Sequence, residues 1–268
     1  MLVYTFDRTM DGLLSAVFDA YLRRQQPDAL VAEGAPLPLF CEEAWAVTTT
    51  DEKALRVWRG LEQRLRREAL RLISVSWLSE DRALDTPLFH YIYKVFDGPR
   101  GSVGGGLNFA DADVLFVTNT ARRVLHEQLR MKQFVRFQKA RDGTYLGVVA
   151  PDNDVLPLVT DHFSDRFGDQ PWLIYDARRH YGYYYSASAD ARRGKAGAVR
   201  VTFDDESTLP FSLEDGKLDD GVLSENDKLF QELWRTYFKA ICIRERLNPR
   251  KQLGDMPRRY WKYMTEKQ

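Results

Sequence analysis

The chain has 268 residues, 44% of them hydrophobic and 13% aromatic, which excludes an intrinsically disordered protein and allows one large domain or two small ones. Its 39 basic and 39 acidic residues cancel, so the overall charge indicates no polyanionic partner. The two cysteines are far apart in sequence and have no CxxC spacing, which predicts a reducing compartment and no thiolate metal site. The start does not resemble a leader, and no apolar run reaches the ~20 residues that a membrane helix needs. We therefore predict a cytoplasmic protein without membrane contact, metal or cofactor.

Residues 1–106 predict an N-terminal subdomain of strands and helices. Apolar residues alternate in the strands and recur at helical spacing in the helices. In chain order we predict strand Leu2–Phe6, a helix through Leu13–Tyr21, a loop Pro27–Pro38, strand Ala44–Thr49, a helix from Asp51 through Leu65 and a helix Pro87–Phe96. The glycine-rich run Gly98–Gly106 lacks the Lys-Ser/Thr ending of a phosphate-binding loop, so it favours a linker at a subdomain boundary.

Residues 107–268 predict an α+β subdomain with a basic C-terminal tail, although the whole chain could also form one integrated domain. A helix within Asn108–Phe134 precedes FVRFQKARDGTYLGVVA, in which Asp142-Gly143 marks a hairpin turn. A helix through Val155–Phe167 and a second hairpin within Gln170–Ser186 follow. The predicted fold class is therefore α+β, with an antiparallel sheet of two hairpins covered by helices. Helices are also predicted for Leu229–Ile243 and for the closing segment RRYWKYMTEK.

Charge is strongly segregated along the chain. Residues 121–141 hold 7 basic and 1 acidic residue, residues 201–228 hold 2 and 9, and residues 229–268 hold 10 and 4. One interpretation is ordinary solvated helix faces. The other is that the two basic segments converge into a phosphate-binding surface and the acidic segment lies elsewhere.

The stretch QPWLIYDARRHYGYYYS places six aromatic residues around Arg178-Arg179-His180. Stacking on bases and arginine contacts to phosphates would suit nucleic acid, whereas tyrosines are also common strand formers. We expect Arg178, Arg179 and Tyr181 on the exposed part of this hairpin, near the other basic residues. The predicted nucleic-acid-binding residues are Arg136, Lys139, Arg178, Arg179, Tyr181, Tyr184, Arg258 and Arg259.

Asp161 and His162 are the candidate catalytic pair, and Asp7 or Asp11 could join them as general acid or base. Adjacent helical residues point about 100° apart, so Asp161 is poorly placed to orient His162. The alternative is that His162 lies at the edge of the core while Asp161 faces solvent. Four histidines without HxH or HExxH spacing predict no metal site.

Three stretches resemble a family of bacterial proteins assigned to DNA repair or DNA metabolism. They are YTFDRTMDGLLSAVFDAY, the segment from KQFVRFQKARDG through DARRHYGYYY, and LWRTYFKAICIRERLNPRKQLGDMPRRYWKYMTEK. The resemblance implies a partner, since members are commonly encoded beside a radical-SAM protein thought to act in DNA modification or repair. Some members carry a uracil-DNA-glycosylase-like domain after the RYWKY segment. This chain stops at Gln268, so we expect it to show no such glycosylase activity.

Three functions remain open from the sequence. The first is an accessory protein that binds DNA and presents it to the radical-SAM partner, with single-stranded or damaged DNA favoured over intact duplex. The second is an enzyme that acts on damaged or modified DNA through Asp161 and His162 or the N-terminal aspartates. The third is a non-catalytic module that binds a protein partner.

Overall fold

A computed structural model describes residues 1–97, 108–186, 197–203, 209, 211, 213–214, 217–219, 221–240 and 248–267. The chain divides into two compact units, Met1–Leu125 and His126–Gln268. The combination of helices with separate sheets confirms the α+β class. The predicted linker Gly98–Gly106 lies outside the described residues, and the predicted boundary after residue 106 stays a prediction.

The first unit contains a parallel sheet with strand order β2-β1-β3. Its strands are β1 (Leu2–Phe6), β2 (Ala29–Ala32) and β3 (Glu43–Ala46), and its helices are α1 (Met10–Arg23), α2 (Asp51–Arg64), α3 (Arg67–Trp77) and α4 (Asp85–Asp97). The side chain of Thr9 caps α1 and that of Thr50 caps α2, which satisfies backbone N–H groups that a helix start leaves free. Large apolar residues of the four helices and of β1 form the core, among them Tyr4, Leu13, Leu61, Ile73, Phe89 and Ile92.

The loop predicted for Pro27–Pro38 is wrong in part, because it contains β2. This strand pairs in parallel with β1, from Val3 opposite Ala29 to Phe6 opposite Ala32. Its four residues are too few to show a clear alternation between the polar segments on either side. Its backbone is instead held by β1 and by Thr86, whose hydroxyl accepts the N–H of Leu30 at 3.0 Å.

The second unit contains a five-stranded sheet of order β4-β5-β6-β7-β8. Its strands are β4 (Gln138–Lys139), β5 (Tyr145–Val149), β6 (Trp172–Asp176), β7 (Tyr181–Tyr185) and β8 (Val199–Thr202). Two further short strands, β9 (Leu213–Glu214) and β10 (Lys217–Leu218), pair with each other. All five residues of β6 are buried, as expected of a central strand.

Both predicted hairpins form, β4 with β5 and β6 with β7, but the sheet is not wholly antiparallel. Strands β5 and β6 pair in parallel, from Tyr145 opposite Trp172 to Val149 opposite Asp176. The segment between them contains a 3-10 turn, Leu156–Leu158, and the helix α6 (Thr160–Arg166), which return the chain to the end where β5 started. A crossover of that length is what a parallel pair requires.

Further helices precede and follow the five-stranded sheet. α5 (Ala112–Phe134) precedes β4, and α7 (Glu225–Ala240) and α8 (Pro249–Asp255) follow the sheet. The closing helix predicted for RRYWKYMTEK is replaced by two 3-10 stretches, Arg258–Tyr263 and Thr265–Lys267. No helix among the described residues has the length and apolar content needed to cross a membrane.

Candidate nucleic-acid interface

A groove of about 710 Å³ lies between the edge strand β4 and helix α7 in the second unit. The backbone N–H of Lys139 donates to the Asp227 carboxylate at 2.9 Å, and the Lys139 carbonyl accepts the N–H of Ser224 at 3.0 Å. An isolated antiparallel bridge joins Ala140 to Leu223. These contacts fix the start of α7 beside β4, so the helix forms one wall of the groove.

Basic side chains outnumber acidic ones in the lining. Arg136, Lys139 and Arg141 contribute three positive charges, and Asp227 contributes one negative charge. Lys139 and Arg141 are exposed, whereas Asp227 is buried and also accepts a hydrogen bond from the Gln231 amide at 3.3 Å. The accessible charge in the groove is therefore positive.

Aromatic rings also line the groove beside Lys139 and Arg141. Phe230 and Trp234, one turn apart on α7, are 66% and 40% exposed although both are large and apolar. Tyr145 lies under the Lys139 ammonium, which is 5.7 Å from the centre of its ring. The groove thus combines exposed cations with ring faces, which are the two components of a surface that binds unpaired nucleotides.

Arg136 also lines the groove, but its charge is largely neutralised by an ion pair within the protein. Its guanidinium contacts the buried carboxylate of Glu266, with Nη2 to Oε1 at 2.7 Å and Nε to Oε1 at 3.0 Å. Burial raises the pKa of Glu266, but the hydrogen bonds, chiefly from Arg136, outweigh burial and leave that pKa below its ordinary value. The pair ties the last 3-10 stretch to the start of β4.

Three other predicted residues meet at the loop that holds Asp152. Arg178 and Arg179 both donate to the Asp152 carbonyl, at 3.2 and 2.9 Å, and Arg259 Nη1 is 2.7 Å from the Asp152 carboxylate. Arg179 further contacts the buried carboxylate of Asp176 at 2.9 Å, and its side chain is only 10% exposed. Arg179 is therefore a structural residue and not an exposed one as expected, while Arg178 and Arg259 remain partly open to solvent.

Arg178, Arg179 and Arg259 with the loop that holds Asp152 form a group that we call the Asp152 cluster. Glu127 lies at its base and is 2% exposed. Its carboxylate accepts hydrogen bonds from the backbone N–H groups of Asp152 and Asn153, from the Tyr260 hydroxyl at 2.7 Å and from Arg259 at 3.1 Å. Burial raises the pKa of Glu127, but these hydrogen bonds outweigh burial and leave the pKa below its ordinary value. The carboxylate is satisfied inside the protein, which indicates a structural role for it.

The structure corrects the expected exposure of Tyr181. This residue is 2% exposed, because its ring lies in the interior and its hydroxyl donates to the Asp154 carboxylate. Tyr184, on the opposite face of β7, is 39% exposed. Arg258 is exposed, with its guanidinium 5.9 Å from the Trp261 ring. The eight predicted residues therefore divide among the groove, the Asp152 loop, the interior, where Tyr181 lies, and two separate surface positions.

Asp161 and His162 do not form a pair in the structure. Asp161 is exposed at the start of α6, and the half-buried ring of His162 packs edge-on against Phe163 at 5.2 Å. Burial, followed by the charges of Lys132 and Arg166, lowers the pKa of His162. Among the described residues, no group of three or more His, Cys, Asp or Glu side chains could hold a metal ion.

One family model matches this chain, over residues 83–266, and it describes a domain of unknown function, DUF4130. The chain belongs to the DUF4130 family. No curated protein matches the chain, and no solved structure matches it. The DUF4130 region contains the whole groove and the Asp152 cluster, so both belong to the part that defines the family.

Arg141, Tyr145, Phe230 and Trp234 line the groove and are not among the binding residues predicted from the sequence. Phe230 and Trp234 fit an apolar helical stripe, and such a stripe is normally buried. Arg141 directly precedes Asp142-Gly143, a pattern that predicts a hairpin turn and does not mark a binding residue. The sequence feature that could have indicated a binding role for Arg141 is its place at the end of the basic segment 121–141.

Proposed function

We propose that this DUF4130 protein binds nucleic acid in the groove between β4 and α7, with unpaired strands preferred over duplex. The observation that carries the proposal is the juxtaposition of exposed Lys139 and Arg141 with the exposed rings of Phe230 and Trp234. Cations contact phosphates whatever the sequence, and ring faces stack on bases only when the bases are unpaired.

The resemblance to proteins of DNA repair supports DNA as the ligand and an accessory role as the function. In that role the chain holds a single-stranded or damaged segment in the cytoplasm and presents it to a radical-SAM partner enzyme. The partly exposed Arg178 and Arg259 are candidates for additional phosphate contacts outside the groove.

Fluorescence anisotropy with a labelled single-stranded oligonucleotide tests this function. The change is Lys139→Ala combined with Arg141→Ala in the full chain. Loss of two phosphate contacts should weaken binding and reduce the slope of log affinity against log salt by about 0.7 for each contact. A matched control is Arg59→Ala, which removes an exposed arginine from α2 in the other unit and should leave affinity and slope unchanged.

A second variant separates stacking from charge. Trp234→Ala removes a ring without changing charge, so single-strand affinity should fall by about 5- to 150-fold, the effect of ~1–3 kcal/mol per stacked base, with the salt slope retained. Duplex affinity should change much less. Unchanged single-strand binding in both variants, with the proteins folded, would rule out the groove.

Two other functions stay open as outcomes of related assays. Turnover of a damaged oligonucleotide by the isolated chain, lost in His162→Asn, would indicate the enzyme that acts through Asp161 and His162. The exposed Leu229 and Leu233 on α7 would also suit a protein partner. Absence of any salt-dependent DNA binding would favour that protein-interaction module.

A further inference from the structure

A small pocket of about 170 Å³ lies in the first unit, and it shares no lining residue with the proposed groove. It is lined by Arg8 from the segment after β1, by Trp77 at the end of α3, and by Glu80, Asp81, Leu84 and Asp85 from the connection to α4. Three carboxylates and one guanidinium give the lining an acidic excess, and Trp77 adds an indole. A cationic ligand therefore suits this pocket better than a phosphate.

Asp85 is the unusual member of the lining. Its side chain is 5% exposed, and Oδ2 accepts a hydrogen bond from Arg8 Nε at 3.2 Å. Oδ1 is buried and has no hydrogen-bond partner among the described residues. A buried carboxylate oxygen without a donor is costly, and such a group calls for a missing partner.

Two residues that line the pocket with Asp85 also have a strained backbone conformation. Arg8 and Glu80 have φ angles of 56° and 55°, in the left-handed region that side chains other than glycine rarely adopt. Arg8 Nη2 donates to the Glu80 carbonyl at 2.8 Å, so the two strained residues contact each other across the pocket. Strain of this kind costs about 1–3 kcal/mol per residue and clusters at ligand sites.

The raised pKa of Asp85 is consistent with a carboxylate oxygen that lacks a hydrogen-bond donor in the described part of the chain. Burial raises the pKa of this carboxyl, and the nearby Arg8 only partly opposes that effect. A second positively charged donor at Oδ1 would stabilise the ionised form. Asp81 is already paired with Arg123, whose Nη2 is 3.2 Å from its Oδ2, whereas Asp85 Oδ1 has no donor among the described residues.

We infer that this pocket binds a small ammonium group, with the cation donating to Asp85 Oδ1 and packing against the Trp77 indole. A free alkylamine or the side chain of a lysine could present that group. This inference is independent of nucleic-acid binding, because it uses none of the groove residues.

Ligand-detected NMR on the full chain tests the inference, with n-butylammonium as the free amine and Nα-acetyl-lysine methylamide as the lysine side chain. Saturable binding of either probe, but not of n-butanol at the same concentration, is the expected result. The probe that binds more tightly identifies the source of the group. Absence of binding by both probes at tens of millimolar would overturn the inference.

Variants locate the site. Asp85→Asn keeps the shape of the side chain and removes its charge, so the affinity for the better probe should fall at least tenfold. Trp77→Leu removes the ring and leaves Asp85 unchanged, and it should also weaken binding, which keeps the inference testable if Asp85→Asn fails to fold. Glu52→Gln neutralises an exposed carboxylate on α2 and should change nothing. Equal binding by the wild-type chain and both pocket variants would show that the probes bind elsewhere.

Discussion

At the scale of single residues, Glu127 shows how a buried charge supports the second unit. One carboxylate holds the backbone of the Asp152 loop and the side chains of Arg259 and Tyr260. Desolvation raises the pKa of Tyr260 to about 12, with a further contribution from the Glu127 carboxylate, so its hydroxyl stays a donor. The Asp152 cluster therefore has mainly a structural role, and only its residues Arg178 and Arg259 extend towards solvent.

Glu127→Gln should destabilise the protein by about 2–4 kcal/mol, because the amide replaces one acceptor oxygen with a donor that faces the N–H groups of the loop. Urea unfolding followed by circular dichroism measures the change. Glu232→Gln, at an exposed position on α7, is the matched control and should stay within ~0.5 kcal/mol of wild type. A Glu127→Gln protein as stable as that control would contradict the structural role.

The same carboxylate makes stability depend on pH. The pKa of Glu127 is lower in the folded than in the unfolded protein, so its contribution to stability is present above the unfolded value of about 4.5. That contribution is lost as the pH falls through the folded pKa. The difference in stability between wild type and Glu127→Gln should therefore shrink between about pH 5 and pH 3. A constant difference across that range would show that Glu127 does not titrate as described.

At the scale of elements, Gly182 decides how closely β6 and β7 can pair. A Cβ at this position would lie 2.4 Å from the Ile174 carbonyl oxygen, which is closer than real Cβ contacts. Gly182→Ala should thus push the strands apart and destabilise the protein by roughly 1–3 kcal/mol. Gly197→Ala, where the added carbon meets nothing within 4 Å, should have little effect in the same thermal unfolding experiment. Equal melting temperatures for the two variants would contradict this pairing.

The sequence predicted the hairpins because local signals specify them. Asp142-Gly143 marks the first turn, where Gly143 has a φ of 89°, and alternating apolar residues mark the strands. Parallel pairing of β5 with β6 and of β1 with β2 is decided by contacts between distant residues, which no local pattern records. The same holds for the buried position of Tyr181, since neighbouring tyrosines on β7 look alike in sequence and differ only in what covers them.

At the scale of the whole molecule, the charge segregation predicted part of the candidate site. The basic segment 121–141 supplies Arg136, Lys139 and Arg141 to the groove, whereas the basic segment 229–268 supplies the rings of Phe230 and Trp234 but none of its basic residues. The acidic segment 201–228 was expected to lie elsewhere, but its residue Asp227 is in the groove. The Asp227 carboxylate accepts the Lys139 N–H and helps to position the start of α7, a packing role that a charge count cannot show.

Whether single strands bind in the groove between β4 and α7 can be tested by photo-crosslinking. A single-stranded oligonucleotide containing 5-iododeoxyuridine is crosslinked to the full chain, and mass spectrometry identifies the crosslinked residues. Crosslinking of this kind favours aromatic side chains in contact with a base. We expect crosslinks at Phe230, Trp234 or Tyr145, and their loss when unlabelled single strand is added in excess. Crosslinks confined to Tyr184 or to residues 1–125, with none in the groove, would contradict this expectation.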